Sequence, residues 1–110
     1  MLRQTLFDVQ ALSTADLTGS THETYPDHYR LTRGVNVSHS GVCTFVINDQ
    51  NSTATLQGSI DNTNFVDIKA VSRSGTNILE GHTVAIFPFM RVKLTGVTAN
   101  SVVKVDIAHP

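Results

Sequence analysis

The sequence lacks several features that are common in catalytic, secreted or nucleic-acid-binding proteins. Its 110 residues include no tryptophan and a single cysteine, Cys43, so no intrachain disulfide can form. Charged residues make up only 15% of the chain, against about 25% in typical domains. The net charge is −1, and the 8 lysines and arginines are scattered singly. Binding of nucleic acid through neutralisation of its phosphates therefore has little support.

Long hydrophobic runs are missing as well. No apolar stretch approaches the length of a membrane span. The first residues also lack the apolar core of a signal peptide. We therefore expect a soluble protein made in the cytoplasm, with neither a membrane nor nucleic acid as its partner. A chain of this length fits one domain, which buries roughly two thirds of the surface that its unfolded form exposes.

What the sequence does contain is a series of short β-strand patterns. Apolar and polar residues alternate with a period of two, which predicts strands at 29–37, 42–47, 53–60, 66–70, 77–79, 83–87, 90–94 and 103–107. Asn, Asp and Gly, which suit turns, fall at 39–41, 48–52, 61–64, 73–77, 80–82 and 95–100. About seven or eight strands without a convincing helix predict an all-β fold. We expect an antiparallel β-sandwich of jelly-roll or immunoglobulin-like type, or a small barrel, built from sequential hairpins.

The first 28 residues differ from the rest of the chain. Their apolar residues are scattered, and Tyr25-Pro26 marks a break, because the residue before a proline avoids the helical region. We divide the chain into residues 1–28, an N-terminal arm or edge strand, and residues 29–110, the β-sandwich domain. A strand within residues 2–12 and an extended arm that packs on a neighbouring subunit both fit the first segment.

One polar cluster raises the question of a metal site. Within seven residues the chain places four potential oxygen ligands: Asp61, Asn62, Asn64 and Asp67. A helix-loop-helix calcium loop that starts at Asp61 would need glycine at its sixth position and glutamate at its twelfth, where Val66 and Ser72 stand. The cluster is more typical of a hairpin turn, and it predicts no metal ligand.

Other patterns of catalytic or metal-binding residues are also missing. The 5 histidines include no pair at the spacing of zinc ligands. No serine stands in a GxSxG setting, and no phosphate-binding glycine motif occurs. Cys43 lies in a predicted strand, where a small buried hydrophobe is the usual role, whereas a catalytic thiol needs a nearby base and some exposure. We therefore expect no enzymatic activity, no catalytic residue and no cofactor.

The few aromatic residues mostly fall in or beside predicted strands, where core packing is usual. Phe65 and Phe89 differ, because each lies on the face opposite the main apolar set of its strand. Each is therefore either exposed as part of a contact surface or covered at a strand end. The candidate interaction surface consists of the following residues: Leu2, Phe7, Tyr25, Phe65 and Phe89.

Two segments resemble a known family. The segment LQGSIDNTNFVDI, residues 56–68, resembles the LQGSxDGTNFxDL hairpin of small β-sandwich structural proteins of tailed bacteriophages. The segment FPFMRVKLTGVTANSVVKVDIA, residues 87–108, resembles the PYLRVxLTGVTxGSVxVxI ending of the same proteins. Asn62 and Asn100 replace family glycines, and asparagine is the best substitute at left-handed positions. Similar hairpins occur in discoidin-like and carbohydrate-binding sandwiches, so the motif indicates the fold better than the role.

The resemblance covers about residues 29–108 and implies a non-enzymatic structural role in a virion. A free-standing chain of this size best fits a capsid decoration, or cement, protein. Its implied partners are the major capsid protein and further copies of itself, with a trimer favoured. Its implied location is the capsid surface of the virion, after assembly in the host cytoplasm. Two alternatives remain: a carbohydrate-binding adhesion module, and a head–tail or tail-tube component.

Overall fold

The computed structural model describes residues 2–10, 16–24, 40–48, 52–72, 78–96 and 102–109. Nine strands occupy them: β1 (Leu2–Gln10), β2 (Leu17–Thr18), β3 (His22–Glu23), β4 (Ser40–Ile47), β5 (Thr53–Ser59), β6 (Val66–Ser72), β7 (Ile78–Ala85), β8 (Phe89–Thr95) and β9 (Val102–His109). The predicted all-β class is confirmed. Within these ranges no helix is long and apolar enough to cross a bilayer.

The strands form two antiparallel sheets. Sheet A has the order β1-β9-β4-β7, and sheet B has the order β2-β8-β5-β6, with β3 also paired to β8. Antiparallel pairing was predicted correctly, but sequential hairpins were not. Among the described strands from β4 onward, only β5 and β6 are consecutive and paired, since each of the other connections crosses between the two sheets. Because the connections cross between the sheets, most strands that are adjacent in a sheet are far apart in sequence. The two sheets together form a sandwich.

The core lies between the two sheets and follows the predicted alternation in most strands. In β4 the inward residues Cys43, Phe45 and Ile47 are fully buried. Alternate residues are buried in the other central strands as well: Ala54 and Leu56 of β5, Met90, Val92 and Leu94 of β8, and Val103, Val105 and Ile107 of β9. Burial of these apolar side chains is the main favourable contribution to folding.

Two predicted turns are wrong, because strand pairing overrides their composition. Residues 40 and 41 lie in β4, and residues 80–82 lie in the middle of β7. The two short strands predicted at 77–79 and 83–87 therefore form a single strand, β7. The two strands pair without interruption from Ser40↔Ala85 to Ile47↔Ile78. Gly41 serves packing here, since a Cβ would lie 2.5 Å from the Ala108 carbonyl oxygen.

The alternation predicted for β6 is also shifted, and a bulge is the reason. Leu56 pairs with Lys69 and Gln57 with Asp67, which leaves Ile68 as the extra residue. As a result Val71 is the buried side chain of this strand, while Val66 is 53% exposed. Ile60, predicted to share the inward face of β5, lies outside the strand and is exposed.

The N-terminal residues contribute to the sandwich through β1. This strand lies at the edge of sheet A and pairs with β9, with a register shift between Thr5 and Phe7. Leu6 and Phe7 are both buried in the core. Residues 2–10 therefore form an edge strand, whereas a role in gripping a neighbouring subunit stays a prediction. Tyr25 and the strand predicted at 29–37 lie outside the described residues.

Candidate functional site: the two outer faces of the sandwich

The structure places the four described candidate contact residues in different parts of the molecule. Leu2 opens the edge strand β1, and Tyr25 lies outside the described residues. Phe7 is 4% exposed, so its ring lies in the core and offers nothing to a partner in this fold. Phe65 and Phe89 both belong to the region of sheet B and are half-buried. A contact role for Leu2, Phe65 and Phe89 remains a prediction.

A group of polar side chains surrounds Phe65 on the outer face of sheet B. The Arg91 guanidinium lies over the Phe65 ring, with its carbon 3.8 Å from the ring centre. Arg91 Nε donates a hydrogen bond to Gln57 Oε1 at 2.8 Å, and Gln57 Nε2 donates to Asp67 Oδ1 at 2.8 Å. We call these four residues the Arg91 cluster. The cation–π contact and the hydrogen bonds together restrain the guanidinium on the outer face of the sheet.

Strand register brings the Arg91 cluster together. Arg91 of β8 pairs with Gln57 of β5, and Gln57 pairs with Asp67 of β6. The bulge at Ile68 determines that Asp67 is opposite Gln57, since without it the pairing would shift by one residue. The sequence analysis singled out Phe65 and Asp67 separately but missed Gln57 and Arg91, because the bulge leaves no recognisable signal in the residue pattern.

The hairpin turn between β5 and β6 engages the carboxylate of Asp61 completely. Asp61 Oδ1 accepts hydrogen bonds from Thr63 N at 2.9 Å, Asn64 N at 2.8 Å and Ser59 Oγ at 2.9 Å. Asp61 Oδ2 accepts from Asn64 Nδ2 at 2.9 Å. These bonds hold the pKa of Asp61 well below its usual range. Asn62 adopts a φ of 62°, the left-handed conformation predicted for it. Asp61 and Asn64 of the polar cluster thus bond within their own turn, whereas Asp67 bonds to Gln57.

The outer face of sheet A is different, because it carries exposed apolar side chains. Val42 is 50% exposed, Leu79 is 76% exposed and Val102 is 37% exposed. Val46, half-buried, pairs directly with Leu79. We call these four residues the apolar face. Beside it on the same sheet, Asp106 accepts a hydrogen bond from the Thr5 hydroxyl at 2.7 Å.

One arrangement of side chains resembles the parts of a thiol catalyst. Cys43 pairs across the strands with His82, and His82 Nε2 lies 3.0 Å from Glu80 Oε2. However, Cys43 is fully buried, as predicted, and burial together with the charge of Asp106 raises the pKa of its thiol to about 12. An activated cysteine shows the opposite shift and is accessible. The thiol of Cys43 is therefore protonated and out of reach of a substrate.

No protein-family model matches the chain, and no curated protein matches it significantly. The chain is similar in structure to the PBSX exported protein XepA, with a TM-score of 0.67 and 13% sequence identity. The match covers 99% of this chain but 37% of that protein, so the chain spans a little over a third of XepA's length. Identity this low shows the fold alone. The sandwich is therefore a β fold shared with a phage-derived protein.

Proposed function

We propose that the protein is a non-enzymatic structural component of a bacteriophage particle, and specifically a decoration protein that binds the major capsid protein. The shared fold with XepA carries this proposal. The two segments of residues 56–68 and 87–108 support it independently, since they resemble small sandwich proteins of phage particles. Fold likeness alone does not determine function, so the surface must supply the remaining argument.

The apolar face supplies it, because it is the exposed surface best suited to a protein partner. Three of its four side chains are the large exposed hydrophobics Val42, Leu79 and Val102. The fold gains nothing from leaving these side chains in water, whereas burying them against a partner contributes roughly 25 cal/mol per Å² of apolar area. Interface centres are typically rich in such side chains, and here one ion pair, between Lys104 and Asp106, lies beside them on the same face.

The area of the whole outer face of sheet A, which includes the apolar face, favours an oligomer over a lone subunit. Four strands spaced by about 4.8 Å, each about eight residues long at roughly 3.4 Å per residue, span on the order of 500 Å². A stable protein interface usually buries about 800 Å² on each partner. One face alone therefore gives a weak contact, and a closed ring of copies, such as the predicted trimer, would strengthen it through simultaneous binding.

Electron cryomicroscopy of the phage particle that carries this chain tests the proposal. We expect sandwich-shaped density on the outside of the capsid, with the outer face of sheet A turned towards the major capsid protein. Density in the tail would overturn the decoration role. Absence from purified particles would overturn the structural role altogether.

Binding to capsids that lack the protein gives a second test, with a matched control. We expect Leu79→Thr to reduce co-sedimentation with such capsids at least tenfold. Ile60→Thr is the control, because Ile60 and Leu79 are both 76% exposed but Ile60 lies at the hairpin turn. Equal losses in both variants, or no loss in either, would contradict a contact through the apolar face.

A further inference from the structure

The outer face of sheet B has the composition of a surface for a polar ligand. Its outward side chains carry hydroxyl, amide or charged groups at Thr18, Thr53, Thr55, Gln57, Asp67, Ser72, Arg91, Lys93 and Thr95. The large hydrophobic side chains that are exposed in the described part of the chain lie elsewhere, on the apolar face and beside the hairpin turn. Polar side chains are usual on the solvent-facing side of an antiparallel sheet, so the case for a ligand rests on how particular groups are held.

Within that face, Arg91 is held ready to bind a planar anion. The contact with the Phe65 ring and the bond from Nε to Gln57 together restrain the guanidinium. Its two terminal nitrogens make no hydrogen bond with any of the residues that the structure describes. A guanidinium presents those nitrogens as a fork that matches both oxygens of a carboxylate. A side chain already held in place loses little entropy on binding.

Two cations lie close to each other on this face. Arg91 and Lys93 lie two residues apart on the outward side of β8, and Asp67 lies two strands away from Arg91. Glu23 also lies on the outward side of the sheet, opposite Phe89, so the four charges of this face balance and the positive charge is local to Arg91 and Lys93, where it suits a carboxylate. A phosphate with two negative charges would be repelled by Asp67, and two cations are too few to follow a nucleic-acid backbone.

The remaining groups suit a ligand that is rich in hydroxyls. Asp67 Oδ2 is available to accept hydrogen bonds, since Gln57 bonds to Oδ1. The hydroxyl of Thr55, which pairs with Lys93, lies on the same face. We propose that the Arg91 cluster binds an acidic sugar, with the sugar carboxylate on Arg91 and its hydroxyls on Asp67 and Thr55. This inference does not depend on a role in the capsid.

Titration of the protein with sodium glucuronate, followed by NMR of backbone amides, tests the site. We expect saturable shifts in β5, β6 and β8, with a dissociation constant on the order of 1 mM for a ligand of this size. Uncharged glucose is expected to bind at least tenfold more weakly. Inorganic phosphate is the competing anion. Tighter binding of phosphate than of glucuronate, or no saturable shift with glucuronate, would overturn the proposal.

Two variants separate the guanidinium fork from simple charge attraction. Arg91→Lys keeps the positive charge but cannot form two parallel bonds, so we expect glucuronate affinity to fall at least tenfold. Lys104→Gln is the control, because it removes a cation from the outer face of sheet A and should change affinity less than twofold. Amide spectra without ligand check that both variants are folded. Unchanged binding in Arg91→Lys, or an equal loss in both, would overturn the proposed site.

Discussion

The two outer faces of the sandwich obey the same alternation but expose different chemistry. Sheet A turns Val42, Val46 and Leu79 outward, whereas sheet B turns Gln57 and Arg91 outward. Both sheets bury apolar side chains equally well on their inner faces. The fold therefore constrains the inward-facing side chains of each strand and leaves the outward-facing ones free to vary. Burial in the core does not require this contrast, and the two proposed partners would explain it.

The edges of the two sheets show a different contrast. In β7 the inner face carries Glu80 and His82, which pair with each other at 3.0 Å. Charged side chains pointing inward at an edge discourage another strand from adding to the sheet. In β6 the bulge at Ile68 has the same effect. These two edges are therefore protected against the addition of another strand.

The largest expected effects come from the inner faces, where the two sheets should behave alike. We expect Phe45→Ala in sheet A to lower the free energy of unfolding by about 3–5 kcal/mol and Leu56→Ala in sheet B by about 2–5 kcal/mol. Both side chains are fully buried, so each substitution leaves a cavity. Urea unfolding measures both values. A loss below about 1 kcal/mol in only one sheet would show that the two sheets do not share a single core.

A smaller effect on stability is expected from adding a methyl group at two glycines, one in each sheet, that differ in the space around them. A Cβ on Gly58 of sheet B would lie 2.6 Å from Phe87 Cγ and 2.8 Å from Ile68 Cδ1, whereas a Cβ on Gly81 of sheet A meets nothing closer than 3.9 Å. We expect Gly58→Ala to destabilise by about 1–3 kcal/mol, because these side chains must shift. Gly81→Ala should change stability by less than about 0.5 kcal/mol. Equal values in thermal unfolding would contradict the close packing at Gly58.

Local pattern predicted the fold class well, because alternation is a property of each strand alone. Residues 43–47 and 103–107 were identified with the correct buried face, and the hairpin turn at 61–64 was recognised. Partner choice was not predictable in the same way. Residues 80–82 contain glycine and two polar residues, yet they lie in mid-strand, since pairing with β4 outweighs their local preference.

The candidate site was predictable only in part. Phe65 stood out, because it interrupts the alternation of its strand. Its contacts with Arg91 and, through it, Gln57 depend on register across three strands and on a bulge, neither of which a single sequence specifies. Phe7 shows the opposite error. Its position in a scattered N-terminal segment suggested a contact residue, but β1 carries it into the core.

The hairpin turn of sheet B should make stability depend on pH in a way that sheet A does not share. Hydrogen bonds from the turn lower the pKa of Asp61 in the folded state. Its contribution is therefore complete above the unfolded pKa of about 3.9 and is lost as pH falls through the lower, folded value. We expect Asp61→Asn to lower the melting temperature at pH 7 and to flatten its fall between pH 5 and pH 2.

Asp8→Asn provides the control for this measurement. Asp8 is an exposed carboxylate of β1 in sheet A, and no hydrogen bond joins it to another described residue. Its variant removes one carboxylate without removing any hydrogen bond of the turn. Because Asp61 is exposed to solvent, the difference at pH 7 should shrink as salt is added. Parallel pH curves for the parent chain and Asp61→Asn would contradict the role of the carboxylate in the turn.

The smallest effect on stability should accompany the clearest difference between the outer faces. Leu79→Thr and Lys93→Thr each replace an exposed side chain with a good strand former, so both should leave the free energy of unfolding within about 0.5 kcal/mol. Only one of the two variants should nevertheless reduce the exposed apolar area. Leu79→Thr removes apolar area and should shorten retention on a hydrophobic column, while Lys93→Thr should not. Equal retention of Leu79→Thr and the parent chain would mean that the Leu79 side chain is not exposed to solvent. The difference between the faces would then lie in charge alone.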